Sequence, residues 1–241
     1  MKGDLKIDGS GSAPGGEYNI VRINGAGRIM GDIACRDFRI NGTGNVDGNL
    51  DTVEGKINGS GTVDGNIKAQ QLKITGTGQV RGTISGGTLI VSGSVTVGEN
   101  LDVQKVKIEG SAKIAHDCNA EDFHSDGTFE ISGLLNADVV NIRLYHSKSR
   151  AKEIGGGTIN VTSGSTAGFN VLKTIFTLGT YNPILEADSI EGDVIVLENT
   201  TAQVVRGTNV TIGKGCNIGL VEYKGVFIKT GDAKVNEEKK I

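Results

Sequence analysis

Residues 40–50 read Ile-Asn-Gly-Thr-Gly-Asn-Val-Asp-Gly-Asn-Leu, and residues 57–67 read Ile-Asn-Gly-Ser-Gly-Thr-Val-Asp-Gly-Asn-Ile, so one phrase returns after seventeen residues. A catalytic site needs a few unique residues and gains little from copying, whereas a stacked structure needs every layer to match its neighbours. Aligned on the opening residue, the interval of seventeen links Ile23, Ile40, Ile57, Ile74, Val91 and Ile108. Glycine follows two residues later at Gly25, Gly42, Gly59, Gly76, Gly93, Gly110 and Gly127. A second glycine stands at Gly27, Gly44, Gly61 and Gly78 and gives way to Val95, Ala112 and Phe129. Further apolar columns run from Ile29 to Ile131 and from Ile33 to Leu135.

Within each copy these positions alternate with Asn, Thr, Asp, Lys and Arg, the period of a strand with one buried face. If each copy is one coil of a parallel β-solenoid, like residues stack about 4.8 Å apart and every backbone group pairs with the coils on either side. Seven coils then span roughly 34 Å, and a fully coiled chain about 60 Å. The glycines are expected where the coil bends too tightly for a side chain. The fold class is therefore all-β, a single-stranded solenoid with 17-residue coils, less regular in its C-terminal half.

Composition agrees. The 241 residues include 38 Gly, 2 Pro and no Trp, with 4% aromatics, and glycine lacks collagen's every-third period. A formal net charge of −3 and a pI near 5.7 argue against a dedicated nucleic-acid binder. No stretch of 18 apolar residues and no charged-then-apolar leader is present, so neither a transmembrane helix nor a secretory signal is read, and the expected location is cytoplasmic. Cys35, Cys118 and Cys216 are odd in number and far apart, which is neither a disulfide framework nor a zinc motif.

The register fails after Leu135, through Arg143-Leu-Tyr-His-Ser-Lys-Ser-Arg-Ala-Lys152 and the run Gly155 to Gly157. Alternation returns at Thr158-Ile-Asn-Val, Ile190-Glu-Gly-Asp-Val-Ile-Val, Val210-Thr-Ile-Gly and Val226-Phe-Ile. We therefore expect a regular repeat region over 1–135, irregular coils with insertions or a shift of direction over 136–183, and further coils with a short charged tail over 184–241.

The phrase I-x-G-x-G-x-V-x-G-x-I, as carried by Ile40 to Leu50, Ile57 to Ile67 and Ile74 to Ile84, resembles that of the bactofilins, bacterial polymer-forming cytoskeletal proteins. The resemblance is clear over Ile23 to Leu135. It implies a right-handed parallel β-helix that polymerises end to end without nucleotide, and a scaffold near the inner face of the bacterial membrane. Its partners would be other copies of itself and scaffold or envelope-associated proteins. Many members carry a membrane-binding segment at the start; here repeat-like sequence begins at Leu5-Lys-Ile-Asp-Gly-Ser-Gly, which argues against direct membrane binding.

His116 takes the register position of Gly31, Gly48, Gly65 and Gly82, one coil after Glu99 and two residues before Cys118. That trio could hold a metal or activate a thiol, but Cys118 occupies a core-leucine position and reads more simply as a small buried hydrophobe. Val210 to Leu220 repeats Ile-Gly at a six-residue step, like the hexapeptide coils of acyltransferases, without their long runs or a loop histidine. Gly31-Asp32 and Asp47-Gly48 lack the period of nine that calcium-binding repeats require, and Gly9 to Gly16 lacks the Gly-Lys-Ser/Thr of a phosphate loop. All of these read as turns. The positive cluster Arg143, His146, Lys148, Arg150 and Lys152 could meet an anionic surface from a protruding loop.

No catalytic, metal or cofactor site is expected. The candidate functional surface is the pair of solenoid ends, where unpaired backbone groups invite another chain. The candidate residues are Leu5, Ile7 and Ile20 at one end and Val226, Phe227 and Ile228 at the other. Two other classes of function compete with this reading. One is a β-helix enzyme acting on sugars or acyl groups; the other is a monomeric binding module presenting an Asn/Thr ladder of Asn24, Asn41, Asn58 and Thr75.

Overall fold

Valine, isoleucine and threonine favour extended backbone, and in the computed structural model, which describes residues 2–145, 147–164 and 183–241, the regular structure is entirely β, with no helix among the described residues. All strand pairs are parallel, each strand bonding to the coil before and the coil after it. The opening-residue column therefore runs Ile7, Ile23, Ile40, Ile57, Ile74, Val91 and Ile108 in unbroken register. It continues through Ser125, Ile142, Val161, Leu197, Ile212 and Lys229, which makes thirteen layers.

Each coil has three sides, and the burial pattern shows how. The strands Leu50–Ile57, Ile67–Ile74 and Leu101–Ile108 alternate in and out except at one pair of consecutive exposed residues, Val53-Glu54, Gln70-Gln71 and Gln104-Lys105. Two outward residues in succession reset the alternation, so one strand turns a corner and buries side chains on both of its arms. The short strands Thr43–Val46, Ser60–Val63 and Thr77–Val80 close the third side. Branched aliphatics from all three sides meet on the axis, and most are fully buried.

The glycines serve two purposes. A Cβ on Gly42, Gly59 or Gly76 would overlap the carbonyl oxygen of the matching glycine one coil back, so these positions are closed by backbone, as a tight bend demands. The second column is closed by side chains instead: a Cβ on Gly44 would lie 2.8 Å from Ile40 Cδ1, and one on Gly61 2.9 Å from the same atom. There the core, not the bend, excludes a side chain. It loosens later, where Val95, Ala112 and Phe129 fill the column and Phe129 packs edge-on to Phe123 with ring centres 5.3 Å apart.

Beyond Leu135 the stack persists although the spacing changes. Thr128–Leu144, Ser149–Ser163 and Leu185–Leu197 remain in parallel register, and Val161 pairs directly with Leu197. Later coils are shorter: Ile190, Val205 and Val221 share one column at intervals of fifteen and sixteen. Three segments differ from the expectation above, one of them Gly31-Asp32, which lies inside the strand Ala26–Ile40 rather than at a turn. Gly9 to Gly16 is not a turn, because Ser10–Glu17 is a strand paired with Ala26–Ile40. The charged run Glu237 to Lys240 is not a loose tail either; it belongs to the strand Lys234–Lys240, which pairs with Asn217–Lys229. In the latter two, hydrogen bonding to the adjacent coil outweighs weak strand propensity.

Candidate functional site at the ends of the rod

At the N-terminal end, among the described residues, Leu5–Ile7 pairs only with Val21–Ile23, and Ser10–Glu17 only with the following coil. Leu5 and Ile7 point into the core, Ile7 almost fully buried and Leu5 half-buried. Ile20 stands one layer in, paired with Asp37 and half-buried. Pro14 sits in the terminal strand, where a missing N–H costs least and discourages a further strand.

At the other end the strand Lys234–Lys240 covers part of the last full coil. It places Glu238 over Val221, a charge in a column that holds apolar residues for most of the rod, and Lys240 over Tyr223, in a column of small residues such as Gly192 and Gly207. Charges at such an edge discourage pairing. The arm Val226 to Lys229 is different: it pairs below with Asn209–Ile212, and among the described residues nothing stacks on its other side. Phe227 points inward over Val210 and lies 5.4 Å from the Tyr223 ring, half-buried. Val226 and Ile228 point sideways and are exposed.

The structure thus sorts the six end residues. Leu5, Ile7 and Phe227 face the axis at the extreme layers, while Ile20, Val226 and Ile228 lie on the outward alternation. Sequence reasoning missed Tyr223, Val235, Glu238 and Lys229 at this end. Their signal was the seventeen-residue step from Ile212 to Lys229 and from Val221 to Glu238, which puts charges where the column requires apolar residues.

The Asn/Thr ladder is occupied with itself. Asn24 donates to Asp8 at 2.7 Å, Asn41 to Asn24 at 2.8 Å, Asn58 to Asn41 at 2.9 Å, and the Thr75 hydroxyl to Asn58 at 2.9 Å. The Asn24 bond, more than that from Lys6, holds the Asp8 carboxyl below its ordinary value. On a second corner, backbone N–H groups of Asn49 and Asn66 donate to the side-chain oxygens of Asp32 and Asn49 one coil earlier. These ladders brace the coils.

The remaining candidates are also placed. His116 Nδ1 lies 3.5 Å from Glu99 Oε2, both exposed, whereas Cys118 is completely buried and burial pushes its thiol far above the ordinary range. The Ile212 to Ile218 step joins the same two columns as the Ile57-to-Val63 step of the regular coils and is not a hexapeptide turn. Asp32 oxygen is taken by Asn49, and Asp47 is paired with Arg28 at 2.8 Å. In the basic group Arg143 is bound by Asp126 at 2.5 Å and Lys148 by Glu186 at 2.5 Å. Arg150 stacks in register between Glu130 and Glu186, Lys152 is exposed, and His146 lies outside the described residues. No helix among the described residues is long and apolar enough to cross a membrane.

A family model described as Bactofilin, polymer-forming cytoskeletal, matches residues 44–136, the most regular part of the rod. The chain is 56% identical over 237 residues to the uncharacterized protein YhbE of Bacillus subtilis (strain 168), covering 98% of each. It is 46% identical over 92 residues to the uncharacterized protein YhbF of the same organism, 38% of this chain and 35% of that one. No solved structure matches. The stacked glycine and isoleucine columns and the matched family model agree: this chain belongs to the bactofilins, a family of polymer-forming cytoskeletal proteins.

Proposed function

We propose that this protein is a non-enzymatic bacterial structural protein that assembles end to end into filaments and acts as a cytoskeletal scaffold. The observation that carries the reading is the pair of open edges. Leu5–Ile7 at one end and Val226 to Lys229 at the other lie on the same side of the rod, each paired on one edge only among the described residues, while Pro14 and the charged strand Lys234–Lys240 blunt the other sides. Unpaired N–H and C=O groups beside Leu5 and Phe227 favour addition of a second copy. The self-satisfied amide ladder and the buried Cys118 support a structural rather than a recognition or catalytic role.

In this reading the protein works in the cytoplasm, with the zones 1–135, 136–183 and 184–241 acting as one rod. Other scaffold or envelope-associated proteins would be its further partners. Because Arg143 and Lys148 are already paired with acids, the basic group contributes little to any contact with the inner face of the membrane.

Negative-stain electron microscopy of the wild type and a Phe227→Arg variant over a concentration and salt series tests the proposal. Filaments in the wild type that shorten or vanish in a variant with an unchanged circular-dichroism spectrum are expected. Uniform single rods of about 60 Å from the wild type at every concentration would overturn it and favour a monomeric binding module.

A further inference from the structure

The chain contains three Asn-Gly steps, Asn24-Gly25, Asn41-Gly42 and Asn58-Gly59, and the fold stacks all three at one turn of successive coils. In this dipeptide no Cβ on the second residue keeps its nitrogen away from the asparagine Cγ, so the pair deamidates readily wherever the backbone is free to turn. Here the stack restrains it. Each glycine N–H donates at 3.3 Å to a carbonyl of the coil before it, Gly25 to Ile7, Gly42 to Ile23 and Gly59 to Ile40. Each asparagine Nδ2 also donates one layer back, Asn24 to Asp8, Asn41 to Asn24 and Asn58 to Asn41. All three asparagines are exposed, so water reaches each of them.

What differs is the layer that supplies those bonds. Ile7 and Asp8 belong to the terminal layer, whose strand Leu5–Ile7 is three residues long, is paired on one edge among the described residues and buries only Ile7. Ile23 and Ile40 lie in layers paired on both edges. Local opening costs least at a terminal strand, and opening this one releases the Gly25 N–H and the Asn24 amide together. Releasing Gly42 or Gly59 requires breaking into the stack.

We propose that Asn24 is a self-modification site, deamidating in the folded rod while Asn41 and Asn58 are held unreactive. The Gly25 nitrogen gives up its proton and bonds to Asn24 Cγ as the Cγ–Nδ2 bond breaks; ammonia leaves with that proton, and water opens the resulting five-membered imide to aspartate or isoaspartate. Water enters and ammonia departs, with no oxidant in the balance. The product changes the end of the rod. An aspartate at 24 still accepts from Asn41, but it sets a second carboxylate against Asp8 where a 2.7 Å hydrogen bond had been. Two carboxylates that close repel, so the reaction loosens Leu5–Ile7 and leaves the inner ladder intact. It is a clock set on the N-terminal layer, and an aged copy would join less well through Leu5 and Ile7. Only this last consequence rests on the end-to-end reading.

Peptide mapping by mass spectrometry of the full chain, kept dilute in mildly alkaline buffer and sampled over weeks, reads the three steps within one molecule. Asn24 should deamidate roughly tenfold faster than Asn41 or Asn58, and in denaturant the three rates should converge. Equal rates in the folded protein, or an Asn24 as inert as Asn58, would overturn the proposal. The consequence is read by hydrogen exchange of the Leu5–Ile7 amides. Asn24→Asp should speed it severalfold, whereas Asn24→Thr, which donates and accepts as Thr75 does one column position further on, should leave it near the wild-type rate. Exchange unchanged by Asn24→Asp would overturn the clock.

Discussion

The side-chain Nδ2 of Asn58 donates to Oδ1 of Asn41 at 2.9 Å across one coil step, and Asn41 repeats the gesture to Asn24 at 2.8 Å. An amide suits this place because it carries a donor and an acceptor on one planar group. Aspartate at 41 would still accept from Asn58 but could not donate to Asn24. Threonine could do both, as Thr75 donates to Asn58 one layer on. Asn41→Asp should therefore cost about 1 kcal/mol and Asn41→Thr clearly less. Chemical denaturation midpoints compare them, and equal losses would show that the ladder contributes nothing.

The two glycine columns should answer differently to alanine. Gly59→Ala drives a Cβ into the Gly42 carbonyl, which cannot move without breaking the stack, so a loss above about 3 kcal/mol is expected. Gly61→Ala meets Ile40 Cδ1 at 2.9 Å and Ile57 Cγ2 at 3.0 Å, methyl groups that can turn aside. About 1–3 kcal/mol is expected there. Melting temperatures of the pair decide it, and the reverse order would contradict the assignment of backbone and side-chain closure.

Burial tends to raise the Asp126 carboxyl, but hydrogen bonds from Arg143 and His124 outweigh it and hold the group below its ordinary value of 3.8. A depressed folded value means stability that is present above the unfolded pKa and lost as pH falls through the folded one. Arg143→Met should lower the melting temperature at pH 7, and the gap to wild type should close below about pH 4 as Asp126 is protonated. A gap that does not change with pH would sink the idea.

The three thiols should separate by reactivity. Burial raises all three thiols, but Cys118 and Cys216 are enclosed, whereas Cys35 is only half-buried and donates to Thr52 at 3.6 Å. An aromatic disulfide reagent should titrate Cys35 first and reach the other two only as the rod unfolds. Cys118→Leu, matching Leu101 and Leu135 in its column, should cost less than Cys118→Ser, which buries a hydroxyl at about 1–3 kcal/mol. Fast labelling of Cys118 in the native protein would contradict its place in the core.

Much of the rod could be read from residues because a solenoid converts a linear interval into a spatial neighbour. Ile40, Ile57 and Ile74 were legible as one column, and Cys118 as a core residue, since seventeen-residue spacing and strand alternation are both local patterns. The corner at Val53-Glu54 was not legible, because two exposed residues in a row look like any polar stretch until the arms on either side are seen to bury Leu50 and Ile57. The later coils were obscured for a related reason. Shortening a corner from Ile190 to Val205 keeps the in-and-out order within strands while breaking the count between them.

The sequence by itself determined the parallel stack and its glycine columns, because both follow from side-chain period and composition. Tertiary structure decided what happens at the limits of the stack. Only folding shows that Glu238 covers Val221, that Phe227 turns inward while Val226 turns outward, and that the uncharged residues from Val139 to Ile228 share one side. Within a column every layer is specified by its neighbours; at an end or on an outer face a residue answers to solvent or to another molecule, which no interval along the chain encodes.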